Sequence, residues 1–515
     1  MDDKHAEIRQ QIDKEIFRLE TRLSTLRTQR NRLAPISRLP VETMTRIFRL
    51  AHGGMYARIP LVLSFVSHNW RELALDLPEL WTRINTQLKL KHIPAYIARS
   101  RQKPLHIALD KSGPNASSIR TITIILGELP RIRELTIHGA GSQRLLCCGD
   151  AVWDIQAPIL EKLQLWGFEI PNTILAGSVP LLYELNLGLC RFEWNALPSL
   201  PQLQKLSITQ PQVKIPVDDY LTQLHRIPRL RSISTINALT GARTSLQLTQ
   251  FRLPNLHILS AQSEDCAHVA VLLRALVLPK VNHFSLQLHQ DNPGDQFAII
   301  DALDHCAPIT STPFKMMSIK ARQHSCGFLV QCDHISAVLQ FYYTSTTTNQ
   351  DIYRVCRRLD LDFLSDLRLD FHGVVSDKHN SLLYRLFEPC LDLQYLTVRK
   401  DSVKTLANYL STESKDLHDT LTNPPTHEDI EDVLGEIISF PGLKELVIRW
   451  SPNPLHLEAI AQYLRIREQC GSKLKGLILA SKDSLPDELN NTLEESVDEF
   501  EVVQYDVNDE YDHLL

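Results

Sequence analysis

Between Ile12 and Leu33 apolar residues recur at Ile12, Ile16, Leu19, Leu23, Leu26 and Leu33, in steps that alternate between four and three. Arg30 takes the remaining place on this seam. Such a heptad stripe predicts one long helix over residues 1–33. About three heptads with an arginine on the seam make a weak coiled coil. The stripe is therefore expected to lie on the chain's own neighbouring domain, with parallel or antiparallel pairing to another helix as the alternative. A second helix is expected from Pro40, which suits a first helical position because its missing N–H costs nothing there. Val41, Met44, Ile47 and Phe48 give it one apolar face. After a His-Gly-Gly break a further helix is expected from about Pro60, with Leu63, Val66, Trp70 and Leu73 on one side, and Leu77-Pro-Glu-Leu-Trp81 comes next as a turn. These pieces form a helical module over 34–86, joined to the rest of the chain by a linker at 87–103.

Beyond about residue 100 the periodicity changes. A pattern of proline, spacer, apolar, two spacers, apolar, spacer, apolar returns at Pro130–Ile137, Pro158–Leu165, Pro180–Leu187 and Pro201–Ile208. Altered copies appear at Pro228, Pro254, Pro279, Phe314–Ile319, Leu364–Leu369, Leu393–Val398, Pro441–Ile448 and Leu474–Leu479. The early spacings of 21 to 28 residues are those of a leucine-rich repeat. Each unit lays down a short strand whose leucines are sheltered only when neighbouring units stack on it. The expected fold class is α/β: the N-terminal helical module, then a leucine-rich-repeat solenoid over 104–505, a curved parallel sheet with helices or irregular segments on its convex side. In that register Glu134, Lys162, Glu184 and Lys205 fall in one row with alternating charge. Ser411–Asp432 is polar enough to predict an exposed insertion. Leu485, Leu489, Leu493 and Val497 keep a helical spacing, and Phe500–Tyr505 suits a last strand, so a capping unit is expected before an acidic tail at 506–515.

Within the helical module the order Leu39-Pro40-x-Glu42, Ile47-Phe48, Val66-Ser-His-Asn-Trp70-Arg71 and Leu77-Pro-Glu-Leu80-Trp81 resembles the F-box family. The resemblance covers about residues 36–84. With the heptad helix in front, the arrangement is similar to the large group of fungal F-box-like proteins. His68 departs from it, since many members carry cysteine there. The resemblance implies a module that binds the Skp-family adaptor of a cullin-RING ubiquitin ligase, and so reaches the cullin scaffold. Leu39, Pro40, Glu42, Ile47, Phe48, Val66, Trp70, Arg71, Leu80 and Trp81 match positions that pack on that adaptor or hold the module together. For Trp70 and Trp81 both roles stay open.

Composition narrows the remaining choices. With 515 residues and 43% hydrophobic content, the chain can build a large core. A net charge of -5 offers no broad positive field for a phosphate backbone, so nucleic acid is not expected as a partner. No apolar run is long enough to span a membrane, and Met1-Asp-Asp-Lys-His lacks the character of a secretory signal. A cytoplasmic or nuclear location is expected, with the ten cysteines as buried thiols. His324, Cys326, Cys332 and His334 lack the tight Cys-x2-4-Cys spacing of a structural zinc site, so no metal and no cofactor are expected.

No nucleophile elbow or phosphate-binding loop is present, although His138-Gly-Ala-Gly141 resembles an oxyanion-hole loop. The chain reads as a non-enzymatic adaptor. Its target, a protein, is expected on the concave face of the repeats, where the spacer positions carry His138, Trp166, Arg368, Arg399 and Arg449. A repeat scaffold with no link to ubiquitin, its helices serving only to cap the solenoid, is the alternative.

Overall fold

A computed structural model describes residues 2–53, 56–109, 119–139, 155–171, 179–197, 200–241, 250–290, 302–303, 313–343, 349–372, 390, 392–422, 440–449, 454–481 and 485–504. It divides into two compact units, Met1–Leu203 and Gln204–Leu515. The chain is mixed α/β, and most of its strands are parallel.

The first unit opens with α1 (Asp2–Arg32), followed by α2 (Val41–His52), α3 (Ile59–Val66) and α4 (His68–Asp76). Two expectations fail here. The seam of α1 does not lie on the neighbouring domain: Ile12, Ile16, Leu19, Leu23 and Leu26 are each about half exposed. Nor do Leu63, Val66, Trp70 and Leu73 share one helical stripe. Ser67 is extended and caps α4 by accepting the Trp70 N–H, which ends α3 one residue earlier. Leu63 is buried while Val66 is exposed.

The segment 87–103 is not a linker. It holds α5 (Ile93–Arg99), whose Ile93, Tyr96 and Ile97 are buried. Arg131 then bonds the Ile97 and Lys103 carbonyls and the Ser100 hydroxyl, tying α5 to the first repeat strand. The module continues directly into the sheet. After β1 (Arg83–Asn85) come β2 (Leu105–Leu109), α6 (Ile119–Leu126), β3 (Ile132–His138), β4 (Lys162–Trp166) and β5 (Glu184–Gly188). All five strands are parallel and pair in chain order.

The recurring proline has a local cause. In Ala157-Pro-Ile-Leu160, Val179-Pro-Leu-Leu182, Leu200-Pro-Gln-Leu203, Ile227-Pro-Arg-Leu230, Leu253-Pro-Asn-Leu256 and Phe440-Pro-Gly-Leu443, the leucine N–H donates to the carbonyl three residues back. Proline at the second position of such a turn presets φ and has no N–H to lose. Each turn drops its leucine into the core and launches the strand, whose alternate residues follow it inward. Leu160, Leu163 and Leu165 are buried, as are Leu182, Leu185 and Leu187. A buried leucine contributes about 1.5–3 kcal/mol, which only stacked neighbours make available.

In the second unit the strands are β6 (Lys205–Thr209), β7 (Ile215–Pro216), β8 (Ser232–Ile236), β9 (Leu239–Thr240), β10 (Phe251–Arg252), β11 (Ile258–Ser263), β12 (Leu276–Val277), β13 (His283–Gln290), β14 (Met316–Arg322), β15 (Ser325–Gln331), β16 (Ser336–Tyr343), β17 (Asp366–Phe371), β18 (Tyr395–Lys400), β19 (Glu445–Arg449), β20 (Leu474–Ser481) and β21 (Val497–Gln504). Its helices are α7 (Val217–His225), α8 (Cys266–Ala275), α9 (Asn349–Cys356), α10 (Asp401–Thr422), α11 (Pro454–Gln469) and α12 (Asp487–Glu495). β7 with β9 and β10 with β12 are small parallel pairs.

Among the described residues the large ladder departs from simple repetition between β13 and β17. β13 pairs with β16 in parallel, β16 with β15 and β15 with β14 antiparallel, and β14 with β17 in parallel. Three strands thus fill a gap in reverse order, and β14 and β16 match the direction of the repeats on either side. Within the expected exposed insertion at 411–432, residues 411–422 continue α10, with Thr412 and Lys415 exposed. The buried stripe of α10 is Val403, Leu406, Ala407 and Leu410, and in the polar part it continues only as Ser414 among the described side chains. Residues 423–432 lie outside the described residues, as does the expected tail at 506–515. The expected cap is present as α12, with Leu489 and Leu493 buried, and β21 pairs in parallel with β20.

Candidate functional site

Two kinds of surface emerge, and the first is the helical module. Met44, Phe48 and His52, spaced by four on α2, point inward. Trp81 is fully buried, donates its indole N–H to the Ala74 carbonyl at 2.8 Å, meets the edge of Tyr96 at 4.9 Å and lies beneath Arg99. Tyr96 in turn donates to the Ala57 carbonyl at 2.8 Å, and burial pushes its phenol up. Phe48, Leu80 and Trp81 are therefore core residues, so of the two roles open to them they hold the module together and are not surface contacts for an adaptor. Trp70 is half-buried with its ring 5.0 Å from that of Phe48. Leu39, Pro40, Glu42, Ile47, Val66 and Arg71 are exposed.

Other exposed apolar residues of the module were not picked out as surface in sequence, among them Val41, Leu50, Val62 and Phe65, the last 79% exposed. The signal was available. Ile59-Pro-Leu-Val-Leu-Ser-Phe-Val66 is apolar almost all round, yet it makes two turns in a small bundle, which can cover only one side of it. α2 packs beside α3, so the module carries Ile47 and Leu50 on one helix and Val62, Phe65 and Val66 on its neighbour.

The second kind of surface is the polar face of the ladders. In the first unit Glu134, Lys162 and Glu184 are register partners, as expected. Lys205 is paired with Ser232 in the second unit. Lys162 bonds Glu184 at 2.9 Å and Gln164 donates to the same carboxylate oxygen at 2.8 Å, while Glu134 faces His106 at 3.4 Å. At the end of this face His138 and Trp166 are neighbours, their rings 5.3 Å apart, and the indole lies on Gly188. Both side chains are half-buried. Ala140 and Gly141 of the loop that resembled an oxyanion hole lie outside the described residues.

In the second unit Arg399 and Arg449 are register partners in a row that includes Lys320 and Asp370. Arg368 stands two residues before Asp370 on the same strand and is held by Asp366 at 2.7 Å. The sequence did not point to the recess beside Lys320. Gly327 sits between Lys320 and Gln340 in register, and the missing side chain leaves a recess of about 190 Å³ lined also by Arg322 and Tyr342. Arg322 is fixed by two bonds of 3.1 Å to the Asp370 carboxylate. Tyr342 stacks on His289 at 4.5 Å.

β15 also explains the histidine and cysteine cluster. His324 precedes the strand and Cys332 and His334 come after it, so they are separated by its length, roughly 20 Å. Among the described residues no three of His, Cys, Asp and Glu are placed to hold a metal ion, and no helix is long and apolar enough to cross a membrane.

No family model matches the chain, and no curated protein does. A chain in the crystal structure of a TLR13-ssRNA13 complex is similar to it at 13% identity and a TM-score of 0.31, over 82% of the present chain. The present chain spans 54% of that chain's length.

Proposed function

We propose that this protein is a substrate-recognition adaptor of a cullin-RING ubiquitin ligase: the helical module docks on a Skp-family adaptor, and the polar face of the repeats holds a protein target. The observation that carries this reading is the uncovered apolar side of α2 and α3, where Ile47, Leu50, Val62, Phe65 and Val66 face solvent beside a core already closed by Phe48 and Trp81. So much exposed aliphatic and aromatic surface on a small bundle calls for a partner. The resemblance around Leu39-Pro40 and Trp70-Arg71 supplies the partner's class. Catalysis is then proximity, with the chemistry supplied by other subunits.

A second reading has its own support. β1 belongs to the module and is hydrogen-bonded to β2, and Arg131 staples α5 to β3, which is what a cap on the first repeat requires. On that reading the chain is a binding scaffold alone. Mixing the full chain with a Skp-family adaptor separates the two. Co-elution at micromolar concentration, lost in Val62→Asp/Phe65→Asp and in Leu39→Ala/Pro40→Ala, supports the ligase subunit. A folded wild-type chain that does not co-elute sinks it.

A further inference from the structure

The heptad helix α1 leaves its apolar seam uncovered. That seam holds Arg9, Ile16, Leu23 and Arg30 at one set of heptad positions and His5, Ile12, Leu19 and Leu26 at the other, with Leu33 directly after the helix. Ile12, Leu19 and Leu26 are 54%, 58% and 51% exposed, although a helix of 31 residues with this period is built to bury them. The sequence supports a particular occupant. Residues 7–20 contain Glu7, Asp13, Glu15 and Glu20 with Arg9, Lys14 and Arg18, whereas residues 21–33 contain Arg22, Arg27, Arg30 and Arg32 and no acid. Acids outnumber bases by one in the first of these stretches, and the second is strongly basic.

We propose that α1 pairs with α1 of a second copy of this chain in antiparallel orientation. Parallel pairing would set Arg9 against Arg9 and Arg30 against Arg30 on the seam, and would bring Glu15 beside Glu20 and Arg22 beside Arg27 in both flanking rows. Antiparallel pairing places Leu23 of one copy on Leu19 of the other, and Ile16 on Leu26. Arg30 then faces Ile12 with Asp13 adjacent, and Arg9 comes to the end of the partner helix, where Leu33 follows. Asp13 of each copy also comes opposite Arg27 of the other. Glu20 and Arg22 near the centre each meet their own copy, two like-charge contacts against the several of the parallel form. Away from the centre the basic half lies over the half that holds the acids.

Sedimentation velocity on the full chain tests this. The wild type is expected to be a dimer at tens of micromolar, and Leu19→Lys/Leu23→Lys a folded monomer, because both side chains stand about half exposed in the single chain. Arg27→Asp distinguishes the orientations. It should weaken an antiparallel dimer roughly fivefold or more by setting a second carboxylate against Asp13, and Asp13→Arg/Arg27→Asp should restore it. In a parallel dimer Arg27→Asp would instead relieve the clash with Arg22 and strengthen association. A monomeric wild type at about 100 µM, a dimer that survives the two lysines, or tighter association of Arg27→Asp would each overturn the proposal.

Discussion

The indole of Trp166 packs over the backbone of Gly188, its register partner on the next strand, so that a Cβ built on Gly188 would overlap Cδ2, Cε2 and Cε3 of the ring. The glycine is thus required by its neighbour. Its absent side chain seats a tryptophan that would otherwise stand further into solvent, and His138 flanks the ring from the strand on the other side.

Gly188→Ala must therefore displace Trp166. A loss of about 1–3 kcal/mol is expected from the forced overlap. It should largely vanish when Trp166→Ala is added, because the alanine then has room. Denaturation of the two single variants and the double variant gives the coupling. Additive losses would show that the ring does not depend on the glycine.

The two aromatic-bearing segments of the module should behave differently. Trp81→Ala removes a fully buried ring and its hydrogen bond to Ala74, and should cost about 3–5 kcal/mol. Phe65→Ala truncates a side chain that is 79% exposed and should change stability by no more than about 0.5 kcal/mol. Chemical denaturation of the full chain checks both.

These contrasts show where the residues spoke plainly and where they did not. The Pro-x-Leu-x-x-Leu-x-Ile spacing carries both the turn and the inward face, so strands such as Lys162–Trp166 and their register were legible, including the meeting of Glu134, Lys162 and Glu184. The β15–β16 hairpin was not, because it lacks the proline turn and its Phe328, Val330, Leu339 and Phe341 follow simple alternation instead. The segment at 87–103 escaped notice because about two turns of helix, anchored by Ile93, Tyr96 and Ile97, are too short to show a period. Burial of Trp81 against exposure of Phe65 could not be read from spacing. Both occupy apolar stretches, and the difference arises only when α5 covers one of them.

The cysteines should divide by burial. Cys326, Cys356 and Cys390 are buried, desolvation raises the pKa of Cys356 and Cys390, and at Cys356 the neighbouring Cys326 and Cys390 raise it further. Cys332 is partly exposed at the end of β15. Because the thiolate is the reactive form, alkylation of the native chain at about pH 7.5 should mark Cys332 well before these three. Peptide mapping over time gives the order, and early labelling of Cys356 would contradict the packing around α9.

Stability should fall on mild acidification through His52. Both of its ring nitrogens are buried without a hydrogen-bond partner among the described residues, and burial, helped by the charge of Arg83, holds its pKa below the ordinary histidine value. The unfolded chain therefore takes up a proton near about pH 6.5 while the folded chain resists until lower pH. In that window the unfolded state binds more protons, so stability declines as pH drops below about 7 and levels off once the folded imidazole is also charged. Thermal unfolding of wild type against His52→Leu between about pH 7.5 and 5.5 isolates this contribution. An equal slope in both would exclude it.

Arg467 is a buried charge in the second unit. It is 1% exposed on α11 and spends its donors on main-chain oxygens: Nη1 to Phe440 at 2.8 Å, Nη2 to Pro441 at 3.1 Å and Leu443 at 3.2 Å, and Nε to Ser472 at 2.7 Å. The first three carbonyls belong to the turn that launches β19, where Phe440 holds a left-handed φ of 55° that costs a residue with a Cβ about 1–3 kcal/mol. The guanidinium thus fastens a strained turn to the helix packed behind it. Arg467→Met keeps the aliphatic stem but leaves four carbonyls without these donors, so a loss of about 3 kcal/mol or more is expected. Lysine should rescue little, because a single ammonium cannot reach so spread a set of acceptors with the geometry of a planar fork. Hydrogen exchange sharpens the test. Amides of 443–449 and 466–472 should lose protection together in Arg467→Met while those of Ile132–His138 keep theirs, and uniform loss across both units would show that the arginine does not act through this turn.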